Sequence, residues 1–331
     1  MARKLAVLFD GTWNTVKDHT NVVRLAELIA AASHDGSEQL PPFYDKGIGT
    51  HALDRWSGGI FGYGLSENIR DGYRWLAANY RPGDEIFIFG FSRGAYTARS
   101  LAGLIRKCGI LRSTKESLVL RAYDLYRDKK LHPDSAEANA FRASFSQEAR
   151  IKFIGVWDTV GSLGVPLTGV PFGRDYFQWH DTELSKIVDY AYHALAIDEH
   201  REDFAATVWT ACKPENTDVE QRWFCGAHSN IGGGYRRDPL PKLALAWLMQ
   251  KAGACGLAFK STIVITAEEQ LAPISDSYSE FMFGLYKLFK AGKRHYRPFG
   301  QGVNETIDDS VWQRWDARPD YRPPTVAAQR H

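Results

Sequence analysis

Hydrophobic positions along the chain follow two alternating patterns. Uninterrupted apolar runs, such as E-I-F-I-F at 85–89, are typical of parallel strands covered on both faces. Longer stretches with apolar residues three and four positions apart are typical of helices packed on such a sheet. The predicted strands are Lys4–Phe9, 42–44, 85–89, Ile151–Trp157 and 222–227, and the predicted helices are 21–32, 65–80, 96–107, 113–149 and 240–252. This alternation predicts an α/β protein with a mostly parallel sheet and helices on both faces.

Length and charge are those of a folded protein without a dominant charge. The 331 residues include 41 Lys or Arg and 39 Asp or Glu, which leaves a formal net charge of +2. We predict one α/β domain over 1–331, with helical cap segments near 113–149, 162–220 and 260–300. The near-neutral balance argues against nucleic acid as a partner, whereas the oligomeric state stays open.

The cysteines and the first residues bear on the compartment. Cys108, Cys212, Cys225 and Cys255 have neither metal-ligand spacing nor the density of a disulfide framework, which is typical of a reducing cytosol. The first apolar run ends at Asp10, too early for a signal peptide, and no apolar stretch is long enough to span a bilayer. We expect a cytoplasmic protein as synthesised, with export by a signal-less route left open.

The motif with the clearest chemistry is G-F-S-R-G at 90–94, between a predicted buried strand and a predicted helix. In a nucleophile elbow, a serine occupies a tight strand-to-helix turn and small residues flank it to avoid collisions. Ser92 is therefore the candidate nucleophile. The backbone N–H of Arg93, at the start of the helix, is a candidate oxyanion donor. The alternative is a tight turn in which the serine is incidental.

A serine nucleophile needs a base and an acid that orients the base, and both are expected at strand ends of an open α/β sheet. Asp158 and His228 each follow an apolar strand, in the chain order Ser, Asp, His that this fold favours. They are the candidate acid and base. Asp158 as a turn cap and His228 as an anchor of the following glycine loop are the structural alternatives. His193 and Asp198 are competitors in a supporting or structural role.

The first predicted strand leads into L-F-D-G-T-W-N at 8–14. The sequence D-G-T is shared with haloacid-dehalogenase phosphatases, but Leu8 occupies the position of their nucleophilic aspartate. In a hydrolase sheet, the loop after an early strand supplies the second oxyanion N–H. We therefore assign Gly11 or Thr12 as that donor and Asp10 as a side chain that holds the loop. A purely structural turn is the alternative.

The remaining glycine-rich stretches do not predict a cofactor. Glu67 stands where a dinucleotide-binding fingerprint requires glycine, and no lysine follows the glycines at 232–234 as a phosphate-binding loop requires. We expect no cofactor and assign no metal-binding residue, whereas metal dependence stays open.

An amphipathic segment runs from Tyr278 to Lys293, with aromatic and aliphatic residues on one side and lysines away from them. Such a helix can lie in a membrane interface, which would suit a lid or a lipid-contacting edge. A helix that docks on its own domain has the same pattern. Peripheral membrane contact through this segment is therefore one of two expectations.

Five motifs occur in order: L-F-D-G-T-W-N, G-F-S-R-G-A-Y-T-A-R, G-V-W-D-T-V-G-S, H-A-L-A-I-D-E and H-S-N-I-G-G-G-Y. Together with D-Y-R-P-P at 320–324, they resemble the bacterial α/β-hydrolase family that includes the first class of type VI secretion lipase effectors. The resemblance implies an α/β-hydrolase fold and a serine hydrolase, with phospholipase A activity in the effector members. It places the serine on Ser92, the histidine on His228 and the aspartate on Asp158. Asn230 departs from the family's usual aspartate, and effector status does not follow.

The hypothesis is a serine ester hydrolase that acts through an acyl-enzyme on phospholipid or other lipid esters. Two rivals remain. One keeps the same three residues but acts on a soluble acyl ester or thioester. The other is a catalytically silent hydrolase fold that serves as a binding module, a role to which Asn230 lends weight.

Overall fold

A parallel sheet organises the computed structural model, which describes residues 2–11, 18–47, 58–160, 182–280 and 292–330. Its seven described strands lie in the order β2-β1-β3-β6-β7-β8-β9, and every neighbouring pair is parallel. Two further strands, β4 and β5, form a small antiparallel pair. The strands are β1 Lys4–Phe9, β2 Phe43–Asp45, β3 Glu85–Phe91, β4 Ile110–Leu111, β5 Ser146–Gln147, β6 Ile151–Trp157, β7 Val188–Ala196, β8 Asp218–Phe224 and β9 Glu305–Ile307.

Helices cover both faces of the sheet. Alternate residues of β1 enter two separate hydrophobic cores, with Val7 in one and Leu8 in the other. The α/β fold with helices on both faces is therefore confirmed. The helices are α1 Asn21–Leu28, α2 Gly58–Asn79, α3 Arg93–Cys108, α4 Glu116–Arg127, α5 Ala136–Phe145, α6 His228–Gly232, α7 Pro241–Ala254, α8 Ala267–Gln270, α9 Ser277–Glu280, α10 Asp309–Ala317 and α11 Pro324–Ala327.

The strand register brings the candidate site residues to one edge. Phe9 pairs with Gly90, and Phe91 pairs with Trp157. Trp157 pairs in turn with Ala194 on β7. Because all these strands point the same way, the residues that follow β1, β3 and β6 emerge together at the carboxyl edge of the sheet.

Several predicted boundaries need correction. Lys4–Phe9 and Ile151–Trp157 are confirmed, but α1 ends at Leu28 rather than at 32. The predicted strand 222–227 begins earlier, at Asp218, and ends at Phe224. Two of the first three residues of this strand are polar. A search for uninterrupted apolar residues therefore does not find where the strand begins.

Parts of the predicted cap segments lie among the described residues. Within 162–220, Val188–Ala196 forms β7, which lies between β6 and β8 and is mostly buried. Residues 161–181 lie outside the described residues. The single helical stretch expected at 113–149 is two helices, α4 and α5, which pack on α3. In the described part of the chain, no helix is long and apolar enough to cross a bilayer.

Candidate active site

Ser92 lies in the turn that joins β3 to α3, with a backbone φ of 58°. A positive φ is rare for a residue with a side chain, and the flanking glycines make room for the turn. A Cβ on Gly90 would lie 2.3 Å from the Gly94 carbonyl oxygen, and one on Gly94 would lie 2.1 Å from the Phe9 carbonyl oxygen. Both small residues of the motif are therefore required by close backbone contact, as the elbow geometry predicts.

His228 links Ser92 to Asp158. The His228 Nε2 to Ser92 Oγ distance is 2.8 Å, and the His228 Nδ1 to Asp158 Oδ2 distance is 2.6 Å. All three side chains are buried, at 6%, 6% and 0% exposure for Ser92, His228 and Asp158. The structure thus brings together the three residues that the sequence assigned, although 136 positions separate Ser92 from His228.

Asp158 is held from three sides. Its φ of 41° is also positive, so the residue leaves β6 through a sharp turn. The Ala196 N–H donates to Oδ1 at 3.0 Å. The Arg297 guanidinium binds both oxygens, with Nη1 to Oδ1 at 2.6 Å and Nη2 to Oδ2 at 3.0 Å. This two-point contact fixes the plane of the carboxylate that faces His228.

The charges in this network favour an ionised acid and a neutral base. Burial raises the pKa of Asp158, but the Arg297 charge and the His228 hydrogen bond outweigh it and leave that pKa well below its usual range. Burial lowers the pKa of His228, and Asp158 opposes this only in part. A neutral imidazole with its proton on Nδ1 donates to Asp158 and accepts the Ser92 hydroxyl proton at Nε2.

A second buried ion pair supports the backbone of His228. The His228 N–H donates to Glu199 Oε2 at 3.3 Å, and the Ser277 hydroxyl donates to the same oxygen at 3.0 Å. Arg201 donates to both Glu199 oxygens, from Nε at 2.8 Å and from Nη2 at 2.7 Å. The Phe91 and Phe204 rings pack beside the imidazole at centroid distances of 4.7 and 5.3 Å. The ring of His228 therefore has little freedom to rotate.

Asn230 lies behind this histidine and has a structural role. Its Oδ1 accepts from the Ala227 N–H at 2.9 Å, which ties the start of α6. Its Nδ2 donates to Asp238 Oδ2 at 2.8 Å. The Asn230 amide can donate a hydrogen bond to the Asp238 carboxylate, whereas an ionised aspartate at position 230 would repel it. Asparagine at this position is therefore compatible with the neighbouring Asp238.

The competing residues do not contact Ser92. His193 Nε2 accepts from the Thr159 N–H at 3.0 Å, and its Nδ1 lies 3.3 Å from Gln221 Oε1. Burial, with help from the Arg99 charge, lowers the pKa of His193 to about 3, so this imidazole stays neutral. Asp198 accepts from the Gly226 N–H at 2.7 Å. His193 and Asp198 thus hold the backbone beside Asp158 and His228, respectively.

The loop after β1 carries two predicted oxyanion donors, of which Gly11 lies among the described residues. Gly11 follows the strand, but its N–H donates to Asp10 Oδ1 at 2.7 Å. The other Asp10 oxygen accepts from the Thr20 hydroxyl at 2.6 Å and from Tyr44 at 2.9 Å. Asp10 therefore ties the loop to α1 and β2, as a loop-holding residue should. Thr12 lies outside the described residues.

Arg93, Arg297 and the amphipathic segment complete the comparison with the sequence. Arg93 is the first residue of α3, where backbone N–H groups have no intrahelical acceptor.

Arg297 was not predicted from the sequence, because no motif or periodicity marks it. In the segment that begins at Tyr278, residues 281–291 lie outside the described residues. Tyr278 itself is buried, at 1% exposure, so the start of this segment packs on the protein.

The class of protein follows from this arrangement. A parallel sheet covered on both faces, with a serine at a strand-to-helix turn, defines an α/β-hydrolase-like protein. The chain belongs to the family described as type VI secretion system phospholipase effector Tle1-like, catalytic domain, whose model matches residues 3–251. The suspected relation to the lipase effectors is confirmed.

Individual relatives are more distant. An uncharacterized protein of Saccharomyces cerevisiae is 30% identical over 234 residues, which cover 63% of this chain and 33% of that protein. The chain thus spans about a third of this curated relative. An uncharacterized protein from Pseudomonas aeruginosa has a TM-score of 0.44 at 16% identity, covering 81% of this chain and 48% of that one. The Tle1 effector bound to the VgrG spike has a TM-score of 0.42 at 21% identity, covering 72% and 53%. The assignment rests on the family model.

Proposed function

We propose that the chain is a serine ester hydrolase in which Ser92, His228 and Asp158 form the catalytic triad. The observation that carries the proposal is the unbroken hydrogen-bonded path from Ser92 Oγ through the imidazole to Asp158, at 2.8 and 2.6 Å. A serine hydroxyl is a weak nucleophile until a neighbouring base takes its proton. The neutral state of His228 supplies that base.

The reaction proceeds in two halves. Ser92 Oγ attacks the ester carbonyl carbon while His228 Nε2 takes the hydroxyl proton, and collapse of the tetrahedral intermediate passes this proton to the departing alcohol. A water molecule then attacks the acyl-enzyme, again with His228 as base, and releases the carboxylic acid and the free serine. Asp158 stabilises the imidazolium that forms in each half, and Arg297 keeps the carboxylate ionised and oriented.

The oxyanion requires donors on the side of Ser92 that faces away from His228. The Arg93 N–H is the first, and Gly11 or Thr12 supplies the second. Each such donor is worth about 3 kcal/mol of transition-state stabilisation. Since the Gly11 N–H already donates to Asp10, its use would require that hydrogen bond to open when substrate binds.

The substrate we propose is a phospholipid or another lipid ester. The family's description as phospholipase effectors supports this choice. Peripheral membrane contact through Tyr278–Lys293 is part of the same proposal.

Hydrolysis of phospholipid vesicles, compared with hydrolysis of short-chain soluble esters, tests both mechanism and substrate. The wild-type protein should release fatty acid from vesicles, and Ser92→Ala should release none above background. A preference for monomeric short-chain esters would reject the lipid assignment while retaining the triad. No hydrolysis of either substrate by folded wild-type protein would favour the silent binding module.

A further inference from the structure

A second site candidate lies along α3, two helical turns from Ser92. A cavity of about 540 Å³ runs beside the helix, a size within the range of small-molecule sites, roughly 300–1,000 Å³. Five residues of α3 line it, with the spacing of one helical stripe. They are Arg99, Ala102, Gly103, Arg106 and Lys107. The small residues Ala102 and Gly103 make room for the cavity, and cationic side chains lie on both sides of them along the helix.

The opposite wall is apolar and belongs to the body of the protein. Ile154 of β6, Val188 of β7, Leu184 and Trp209 all line the cavity and are buried. Val188 is the first residue of its strand, so the cavity extends toward the amino edge of the sheet. Ser92 lies at the carboxyl edge and is not among the lining residues. The cavity is therefore separate from the candidate active site.

Arg99, on the α3 side of the cavity, is buried and has no acidic partner among the described residues. Its side chain stacks over Trp209 at 5.0 Å and donates from Nη1 to the Thr207 carbonyl. Nη2 is buried and has no hydrogen-bond partner among the described residues. Burial lowers the pKa of Arg99 to about 10, but the group is still a cation at neutral pH. A buried cation without an anion is costly, so a nearby anion would stabilise it.

Lys107 repeats this situation eight residues further along the helix. It is 5% exposed, and its ammonium donates to the carbonyls of Tyr126 and Asp128, at 3.4 and 2.6 Å. In the described ranges it forms no ion pair, and the Asp128 carboxylate acts on it only at longer range. Eight residues correspond to about 12 Å along the helix axis. Because the side chains of Arg99 and Lys107 are both long, their charged groups can lie closer together than their Cα atoms.

The rim of the cavity adds more positive than negative charge. Apart from Arg99 and Lys107, four Lys or Arg and three Asp or Glu line the cavity. Two of these acids are already used in pairs: Asp134 with Arg106 at 2.6 Å, and Glu183 with Lys213. These acidic side chains therefore compensate cations of the rim, whereas Arg99 and Lys107 have no acidic partner among the described residues.

We propose that this cavity binds a small organic anion, whose phosphate or carboxylate group meets Arg99 and Lys107 while its apolar part packs on Trp209 and Leu184. The mixed character of the walls selects an amphiphilic anion over a bare inorganic ion. The site is independent of the hydrolytic proposal, because none of its residues belongs to the triad.

Isothermal titration calorimetry at constant ionic strength tests the site with four probes: hexyl phosphate, hexanoate, inorganic phosphate and hexan-1-ol. The two hexyl anions should bind saturably to wild type and equally well to Ser92→Ala. Arg99→Met should weaken hexyl phosphate binding at least tenfold. Equal binding of inorganic phosphate and hexyl phosphate would contradict the proposal, because it would show that the apolar wall contributes nothing to affinity.

Two further variants guard against a folding defect in Arg99→Met. Lys107→Met should also weaken binding, and Ala102→Met should block it by filling the cavity without removing a charge. Lys115→Met, on an exposed position outside the cavity, makes the same charge change and should leave binding unchanged. The proposal is overturned if neither hexyl anion binds, if hexan-1-ol binds as tightly as they do, or if Lys107→Met and Ala102→Met bind like wild type.

Discussion

The two ends of α3 treat buried charge in opposite ways. At its amino end, two buried carboxylates of the Ser92 site each have a cationic partner: Asp158 has Arg297, and Glu199 has Arg201. Further along the helix, Arg99 and Lys107 are buried, and within the described part of the chain their hydrogen bonds go only to carbonyl oxygens. A network of paired charges holds the side chains in place before substrate binds. A buried cation without a partner is instead stabilised when an anionic ligand binds.

This difference separates two uses of the same helix. The paired end is suited to chemistry, since a nucleophile and its base must be held within a fraction of an ångström. The unpaired end is suited to binding. Breaking each end should therefore have different consequences, for turnover at one and for stability or ligand affinity at the other.

The largest effect is expected from loss of the base. His228→Ala should lower kcat/KM for an ester by about 10⁴-fold or more, and Asp158→Asn should lower it by about 10⁴-fold, because both remove the activation of Ser92. Initial-rate kinetics on a short-chain or lipid ester measure this. His34→Ala, at an exposed position, is the control and should match wild type. A His228→Ala protein that keeps a tenth of wild-type activity would refute the assignment.

Loss of the arginine behind the acid should have the next largest effect. Arg297→Met leaves Asp158 buried without its cation, which should cost about 3 kcal/mol in the free energy of unfolding. It should also lower kcat/KM by about 10²-fold. Since a nearby cation disfavours imidazolium, its removal raises the pKa of His228 and moves the acid limb of the pH profile to higher pH.

Arg297→Lys keeps the charge and should recover part of the activity and most of the pH profile. Urea unfolding and the pH dependence of kcat/KM measure both effects. If Arg297→Met lowered stability but left the pH profile in place, Arg297 would be a packing residue only.

Removing a cation from the other end should cost much less. Lys107→Met gives up hydrogen bonds to two carbonyls but also relieves a buried charge, so the unfolding free energy should change by less than about 1 kcal/mol. Urea denaturation beside Arg297→Met makes the comparison direct. A loss as large as that of Arg297→Met would mean that Lys107 is structurally paired, and the contrast between the two ends would disappear.

The smallest effect concerns pH in the wild-type protein. Burial lowers the pKa of His228 below its ordinary value of 6.5, so the base stays neutral into mildly acidic solution. Activity should therefore fall only as the pH drops below 6.5, with the midpoint of the acid limb under that value. A midpoint above 6.5 for kcat/KM would show that Asp158 outweighs burial at this site.

The places of Ser92 and Asp158 could be predicted because each directly follows a strand that is visible as an apolar run, and His228 lies four residues after the end of β8. Asp158 and His228 needed no motif beyond that position. Arg297 could not be found in this way, since it lies 139 residues from Asp158 in a stretch without periodicity. Only the folded sheet brings it under the carboxylate.

The fold was predictable to a similar depth. Strands with continuous apolar residues, such as Ile151–Trp157, have the predicted bounds. Strand β7 was ambiguous between strand and helix, because V-D-Y-A-Y-H-A-L-A mixes polar residues into a buried element. Strand β9 has only three residues, too few for any pattern. The local sequence therefore predicts the sheet and its covering helices. Whether β7 and β9 form strands depends on their pairing with residues distant in the sequence.

The central claim is that Ser92 is the nucleophile, and labelling with a fluorophosphonate probe tests it most directly. The folded wild-type protein should gain one covalent adduct, located on Ser92 by peptide mass spectrometry, and Ser92→Ala should gain none. An adduct on another residue, or no adduct on a protein shown to be folded, would contradict the account.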